Sequence, residues 1–179
     1  MKGFLTGVIV AFAGVVTAGY VYFARGYAPV AVSAPPMPFE KRLSRMALHA
    51  HLEKEVPTAA PIEPSEAAYL AGARDYFENC AVCHGLPGKP PSAIARGEFP
   101  RPPQLFHGKG VTDDPPGETN WKIANGIRLT GMPGFDRSLS ETQMWQLSLL
   151  LANADKLPNS VTTVLAGSSS SSPPPRSAP

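Results

Sequence analysis

Cys80-Ala81-Val82-Cys83-His84 places two thiols and an imidazole within five residues. Thiols three positions apart can add to the two vinyl groups of one porphyrin. The imidazole that follows lies under the iron and can serve as its proximal ligand. The spacing points to covalently attached haem c, and to one haem, because the chain has only 2 cysteines. Three other chemistries fit less well. A thioredoxin-type redox pair belongs where a strand enters a helix. Here the motif ends an apparent helix and runs into Gly85-Leu86-Pro87-Gly88-Lys89-Pro90-Pro91. A zinc knuckle needs two more ligands, and His49, His51 and His107 are not suitably spaced. A disulfide across two residues closes almost no loop and so constrains the unfolded chain little.

The other face of such an iron needs a soft ligand. Gly131-Met132-Pro133-Gly134-Phe135 reads as a loop between two helices. Gly131 permits close approach to a flat ligand, and Pro133 stiffens the backbone. Met132 is the candidate distal ligand. The competing reading has Met132 filling a gap while Met144, on a helical apolar stripe, ligates. With His84 and Met132 both bound, the iron has no open site for substrate.

Helices must position these groups. Ser65 is a good cap, with Glu66 in the first turn, for a helix whose Tyr69, Gly72, Ala73, Tyr76, Phe77 and Cys80 recur at three- and four-residue steps. Gly72 in mid-helix costs about 1 kcal/mol relative to alanine, which implies close contact with another helix there. A middle helix over 119–126 carries Trp121 and Ile123 and stops at Gly126. A last helix over 139–154 has the capping-box pair Ser140 and Gln143 and the stripe Met144, Leu147, Leu150 and Leu151. No segment shows strand alternation. The domain over 65–158 is therefore all-α, with three to four helices around the haem.

The ends of the chain read differently. Residues 3–24 are uncharged and long enough to cross a hydrocarbon core of about 30 Å as a helix. Tyr20, Tyr22 and Phe23 cluster where the run ends at Arg25. Residues 1–27 are thus an uncleaved signal anchor or a cleavable signal peptide, with Val16-Thr17-Ala18 as the cleavage-like sequence. The apolar run continues past Ala18, which favours the anchor. Either way the rest of the chain is exported, and the expected place is the periplasmic side of a bacterial inner membrane. Gly3, Gly7, Ala11, Gly14 and Ala18 form a small-residue stripe suited to helix packing. Residues 28–64 form a Pro-rich linker holding an amphipathic helix at 39–56, with Phe39, Leu43, Met46, Ala47 and Ala50 on one stripe. His49 and His51 read as surface residues. Residues 159–179 lead into a Ser/Pro run and are expected to be disordered.

Residues 66–157 hold nine Lys and Arg against ten Asp and Glu, so nucleic-acid binding has no support. Lys89, Arg96, Arg101 and Lys109 nevertheless make the loop after the haem motif basic, a surface for an acidic partner.

Residues 66–157 resemble a class I cytochrome c domain of the bacterial, membrane-anchored, monohaem type. The resemblance rests on Gly72-x-x-x-Tyr76-x-x-x-Cys80-x-x-Cys83-His84, on Pro103-Gln104-Leu105, and on the stretch from Trp121 through Gly131-Met132-Pro133. It implies that Gly72 lets the first and last helices cross near Trp145. It also implies that the Pro103 carbonyl accepts a hydrogen bond from His84, and that Thr130, with Trp121, bonds a haem propionate. Leu149 stands where many relatives have a second aromatic. The implied role is single-electron transport in a respiratory chain, between periplasmic or membrane redox partners, without enzymatic activity of its own. The alternative is a fixed subunit of a quinol-oxidising or terminal-oxidase complex. A haem enzyme or gas sensor would require Met132 to dissociate.

Overall fold

The structure is a computed structural model and describes residues 1–57, 59–106 and 114–167. The described residues form eight α-helices and no strand, as the all-α reading expects. They divide into two compact units, Met1–Leu48 and His49–Pro179.

In the first unit, α1 (Lys2–Ala24) has 23 residues, all exposed. At 1.5 Å per residue it spans roughly 35 Å, enough to cross a bilayer core. It is the one described helix long and apolar enough to do so. The chain leaves it at Arg25, whose N–H still reaches the Val21 carbonyl at 2.9 Å.

Helix α2 (Glu40–Glu55) runs across the division. The stripe expected to pack is largely exposed: Phe39, Leu43 and Met46 are 69%, 56% and 60% accessible. Leu52 is the buried position instead, at 4%. The compact unit thus begins about sixteen residues before the expected domain start at 65, and the end of α2 meets later chain where His51 and Glu55 contact the Trp121 side chain.

In the second unit, α3 (Glu66–Asn79) starts at Ser65, whose hydroxyl accepts the Ala68 N–H at 3.2 Å. It continues into α4 (Ala81–His84), then α5 (Ala93–Gly97), α6 (Pro116–Asn125), α7 (Glu141–Ala152) and α8 (Asn159–Leu165). The Ser140–Gln143 capping box opens α7. Helix α3 crosses α7, α6 packs on α7, and α8 packs on α3. Tyr76, Leu147, Leu150, Val161 and Leu165 are wholly inaccessible at this junction. Gln143 Nε2 also donates to Asp75 Oδ1 at 3.0 Å, tying the start of α7 to α3.

Helix α8 corrects the expected disordered tail over 159–179. Val161 and Leu165 lie four apart on one helical face, and each is fully buried. Burying two such side chains contributes roughly 1.5–3 kcal/mol each, enough to hold a short helix. The Ser/Pro run from 168 onward lies outside the described residues.

Candidate functional site

The end of α3 builds the attachment turn. The Cys80 N–H bonds to the Tyr76 carbonyl at 2.9 Å, and the Cys80 carbonyl then accepts from both Cys83 and His84, at 3.1 and 2.9 Å. Both thiols and the imidazole are thereby held within one helical turn. Tyr76 fastens that turn from the core. Its hydroxyl donates to the Gly85 carbonyl at 2.7 Å, and its ring meets Phe106 edge to face at 5.0 Å. Burial raises the Tyr76 pKa above its ordinary value, so the hydroxyl remains a donor.

Neither cysteine is in a disulfide. The Cys80 thiol is pushed up to about 12, first by burial and then by the Asp75 and Cys83 charges. The Cys83 thiol is raised by burial and by its hydrogen bond to Glu98, with Sγ 3.2 Å from Oε1. Both pKa values are thus above the ordinary thiol value, and the side chains are thiols at neutral pH. No cluster of three or more His, Cys, Asp or Glu side chains placed for a metal occurs among the described residues.

His84 Nδ1 lies 2.9 Å from the Pro103 carbonyl oxygen. A carbonyl only accepts, so Nδ1 carries the proton and Nε2 keeps its lone pair. Burial lowers the His84 pKa; the Pro103 bond and the Glu98 charge offset part of that effect. The neutral, ligating form is favoured.

Met132 comes from a chain reversal after α6. Gly126 ends that helix at φ +68, and a Cβ there would lie 2.5 Å from the Gly134 nitrogen. The returning strand of the loop is pinned by Phe135 N–H to Ile123 O at 2.9 Å and by Ile127 N–H to Met132 O at 3.2 Å. Thr130 Oγ1 donates to Ile127 O at 2.6 Å and accepts the Met132 N–H at 3.1 Å. Met132 is half-buried against the core. Met144 sits in the core proper, 8% accessible on α7 among Leu147 and Leu151.

Two expected residues have partners other than those anticipated. Trp121 Nε1 donates to Glu55 Oε2 at 3.1 Å, and its ring meets His51 edge to face at 5.3 Å. Its only donor is spent on α2. The Thr130 hydroxyl is spent inside its own loop. Lys89, Arg96 and Arg101 are exposed, and Arg96 Nη1 donates to Pro91 O at 2.6 Å. His107 and Lys109 lie outside the described residues.

Sequence reading missed Glu98, Gln104 and Asn120. Glu98 contacts Cys83, and a Cβ on Gly131 would lie 2.5 Å from its Oε2. Gln104 Nε2 and Asn120 Nδ2 are buried with no hydrogen-bond partner among the described residues. For Asn120 a signal existed: it is a polar residue one turn before Ile123 on the inward face of α6. A covalent haem fits this arrangement. Two neutral thiols, a bare imidazole nitrogen, a thioether on a pinned loop, and unpaired buried donors are what an apolar, carboxylate-bearing macrocycle requires.

Residues 67–149 match the family model described as cytochrome C oxidase, cbb3-type, subunit III. One similar solved chain belongs to the "Kuenenia stuttgartiensis reducing HAO-like protein complex Kustc0457/Kustc0458". It is 27% identical with a TM-score of 0.48, over 56% of this chain and 49% of that one. The chain thus spans about half the length of this neighbour. No curated protein matches.

Proposed function

We propose that the chain is a membrane-tethered monohaem electron carrier: residues 67–149 match a family model of c-type cytochromes, and haem c with electron transfer is the chemistry that match implies. The observation that carries this reading is the pairing of His84, with Nδ1 committed to Pro103, and Met132 on its pinned loop. The haem iron supplies one reversible electron when bound. Cys80 and Cys83 would hold the haem through thioether bonds, each thiol adding its sulfur and hydrogen across one vinyl group. His84 and Met132 would be the iron's protein ligands and would leave it no open position for substrate. Pro103 keeps the imidazole neutral and oriented. Thr130 shapes the methionine loop.

Helix α1 is the anchor in this reading, with residues 3–24 in the inner membrane and the haem domain on the periplasmic side. The redox partner is an acidic protein. Lys89, Arg96 and Arg101 attract it, while the exposed side chains Val82 on α4 and Ile94 on the adjoining α5 give it apolar contact. A second reading, a fixed subunit of a larger respiratory complex, is favoured by the family model itself, which describes an oxidase subunit III.

Solubilisation in mild detergent, followed by native separation and haem staining, tests both. A free carrier runs as a lone haem-stained chain of 19.0 kDa plus detergent. Stoichiometric co-migration with other subunits establishes the second reading. Haem colour lost from the denatured chain on acid-acetone extraction refutes covalent attachment.

A further inference from the structure

Gln104 Nε2 and Asn120 Nδ2 are the two buried side-chain polar atoms without a partner among the described residues. Asn120 is only 8% accessible. Buried amide donors are rarely left unpaired, because the lost hydration is not recovered. Both lie on segments that hold the axial residues. Gln104 follows Pro103, whose carbonyl orients His84. Its amide presses on Gly85, where a Cβ would lie 2.8 Å from Nε2. Asn120 is one turn before Ile123, whose carbonyl pins the loop behind Met132. Ile123 belongs to the core against which Leu105 and Met132 pack.

A haem is apolar except at its iron and its two carboxylates. The iron has His84 and Met132. The carboxylates need N–H or O–H donors, and both donors suggested by sequence are engaged: Trp121 with Glu55, and Thr130 with Ile127. We propose that Gln104 and Asn120 are the side-chain donors to the haem carboxylates, an inference that rests on the haem reading above. Amide donors there offset the carboxylate charge without adding a titrating group. They act as positioning residues and raise the potential.

The test uses the full chain in detergent, with Asn120→Leu and Gln104→Leu compared against Trp121→Phe and Thr130→Val. Haem staining of denatured chains should show covalent haem in all of them. Resonance Raman should show the carboxylate bending bands displaced in the Asn120 and Gln104 variants and unmoved in the Trp121 variant. The midpoint potential should fall in the same two. If either leucine variant fails to fold, Asn120→Ser and Gln104→Ser keep a polar group too short to reach and should displace the same bands. Bands at wild-type positions in every Asn120 and Gln104 variant, with haem attached, overturn the inference and leave the haem reading standing. A wild-type chain without covalent haem sinks the haem reading and this inference with it.

Discussion

Replacing Gly72 by alanine sets two effects of known size against each other. In an unhindered helix the methyl group would stabilise by about 1 kcal/mol. Here the new Cβ would lie 2.5 Å from Gln146 O, 2.8 Å from Gln146 C and 3.1 Å from Leu147 N. These are backbone atoms of α7, so no change of rotamer relieves the overlap. One helix must shift, and with it the side chains at the α3–α7 crossing, including Tyr76 and Leu147. Overpacking of this kind costs roughly 1–3 kcal/mol, and a backbone clash belongs at the upper end. The net loss is about 2 kcal/mol. In a unit somewhat larger than 100 residues each kcal/mol moves Tm by about 4 °C, so Gly72→Ala should lower it by roughly 8 °C. Unfolding can be followed by tryptophan fluorescence. Trp145 is 3% accessible at the crossing, so its emission changes when that packing is lost. Gly72→Val, with more bulk and a branched Cβ, should fall further. A Gly72→Ala protein with a Tm equal to or above wild type would refute the close approach and leave helix propensity in command.

Three further outcomes are expected. Met132→Ala should retain covalent haem, lose the far-red band of methionine-bound ferric iron, and show a lower midpoint potential; a band that survives there and disappears in Met144→Ala would transfer the ligand role. Lys122 lies 3.0 Å from Asp114 and 2.6 Å from Glu118. Burial alone would lower its pKa, but the two carboxylates outweigh that and hold it above the ordinary 10.5. A raised folded-state pKa stabilises fully below the unfolded value and is lost as pH rises through the folded one. Lys122→Met should therefore cost about 1 kcal/mol at neutral pH, and as pH is raised from neutral the gap to wild type should close only above pH 10.5; a gap that closes between neutral pH and 10.5 contradicts the ion-pair account. Finally, a cleavable export signal in place of residues 1–27 should move the haem-stained protein from the membrane to the soluble periplasmic fraction, and retention in the membrane would show that α1 is not what holds it.

The helices were legible because their signals are local. The Ser65 and Ser140 caps and the three- and four-residue apolar spacing needed nothing from elsewhere in the chain. The pentapeptide at 80–84 and the Met132 loop are also local in sequence, and the structure sets the first on one turn at the end of α3 and the second on a chain reversal after α6. What escaped notice depended on distant partners. The seven residues of α8 have weak periodicity, and it is the α3 surface that makes Val161 and Leu165 core. Leu52 lies off the apparent stripe of α2, and no local rule marks it as the buried position. Trp121 was read by analogy toward the cofactor, yet Glu55, 66 residues earlier, holds its N–H. Gln104 and Asn120 read as ordinary polar residues in sequence, and only their surroundings reveal amide nitrogens without a hydrogen-bond partner among the described residues.

The packing of the last turn of α2 determines where the chain can be cut. Residues His49 onward belong to the unit that contains the family-matched residues 67–149. A soluble fragment started at Ser65, where the sequence places the domain edge, would discard Leu52 and remove Glu55 from the Trp121 indole. It would also strip the Pro57 carbonyl from its close contact with Gly117. Such a fragment would expose apolar surface on α6 and invite aggregation. A fragment started before His49 keeps that cover and loses only anchor and linker.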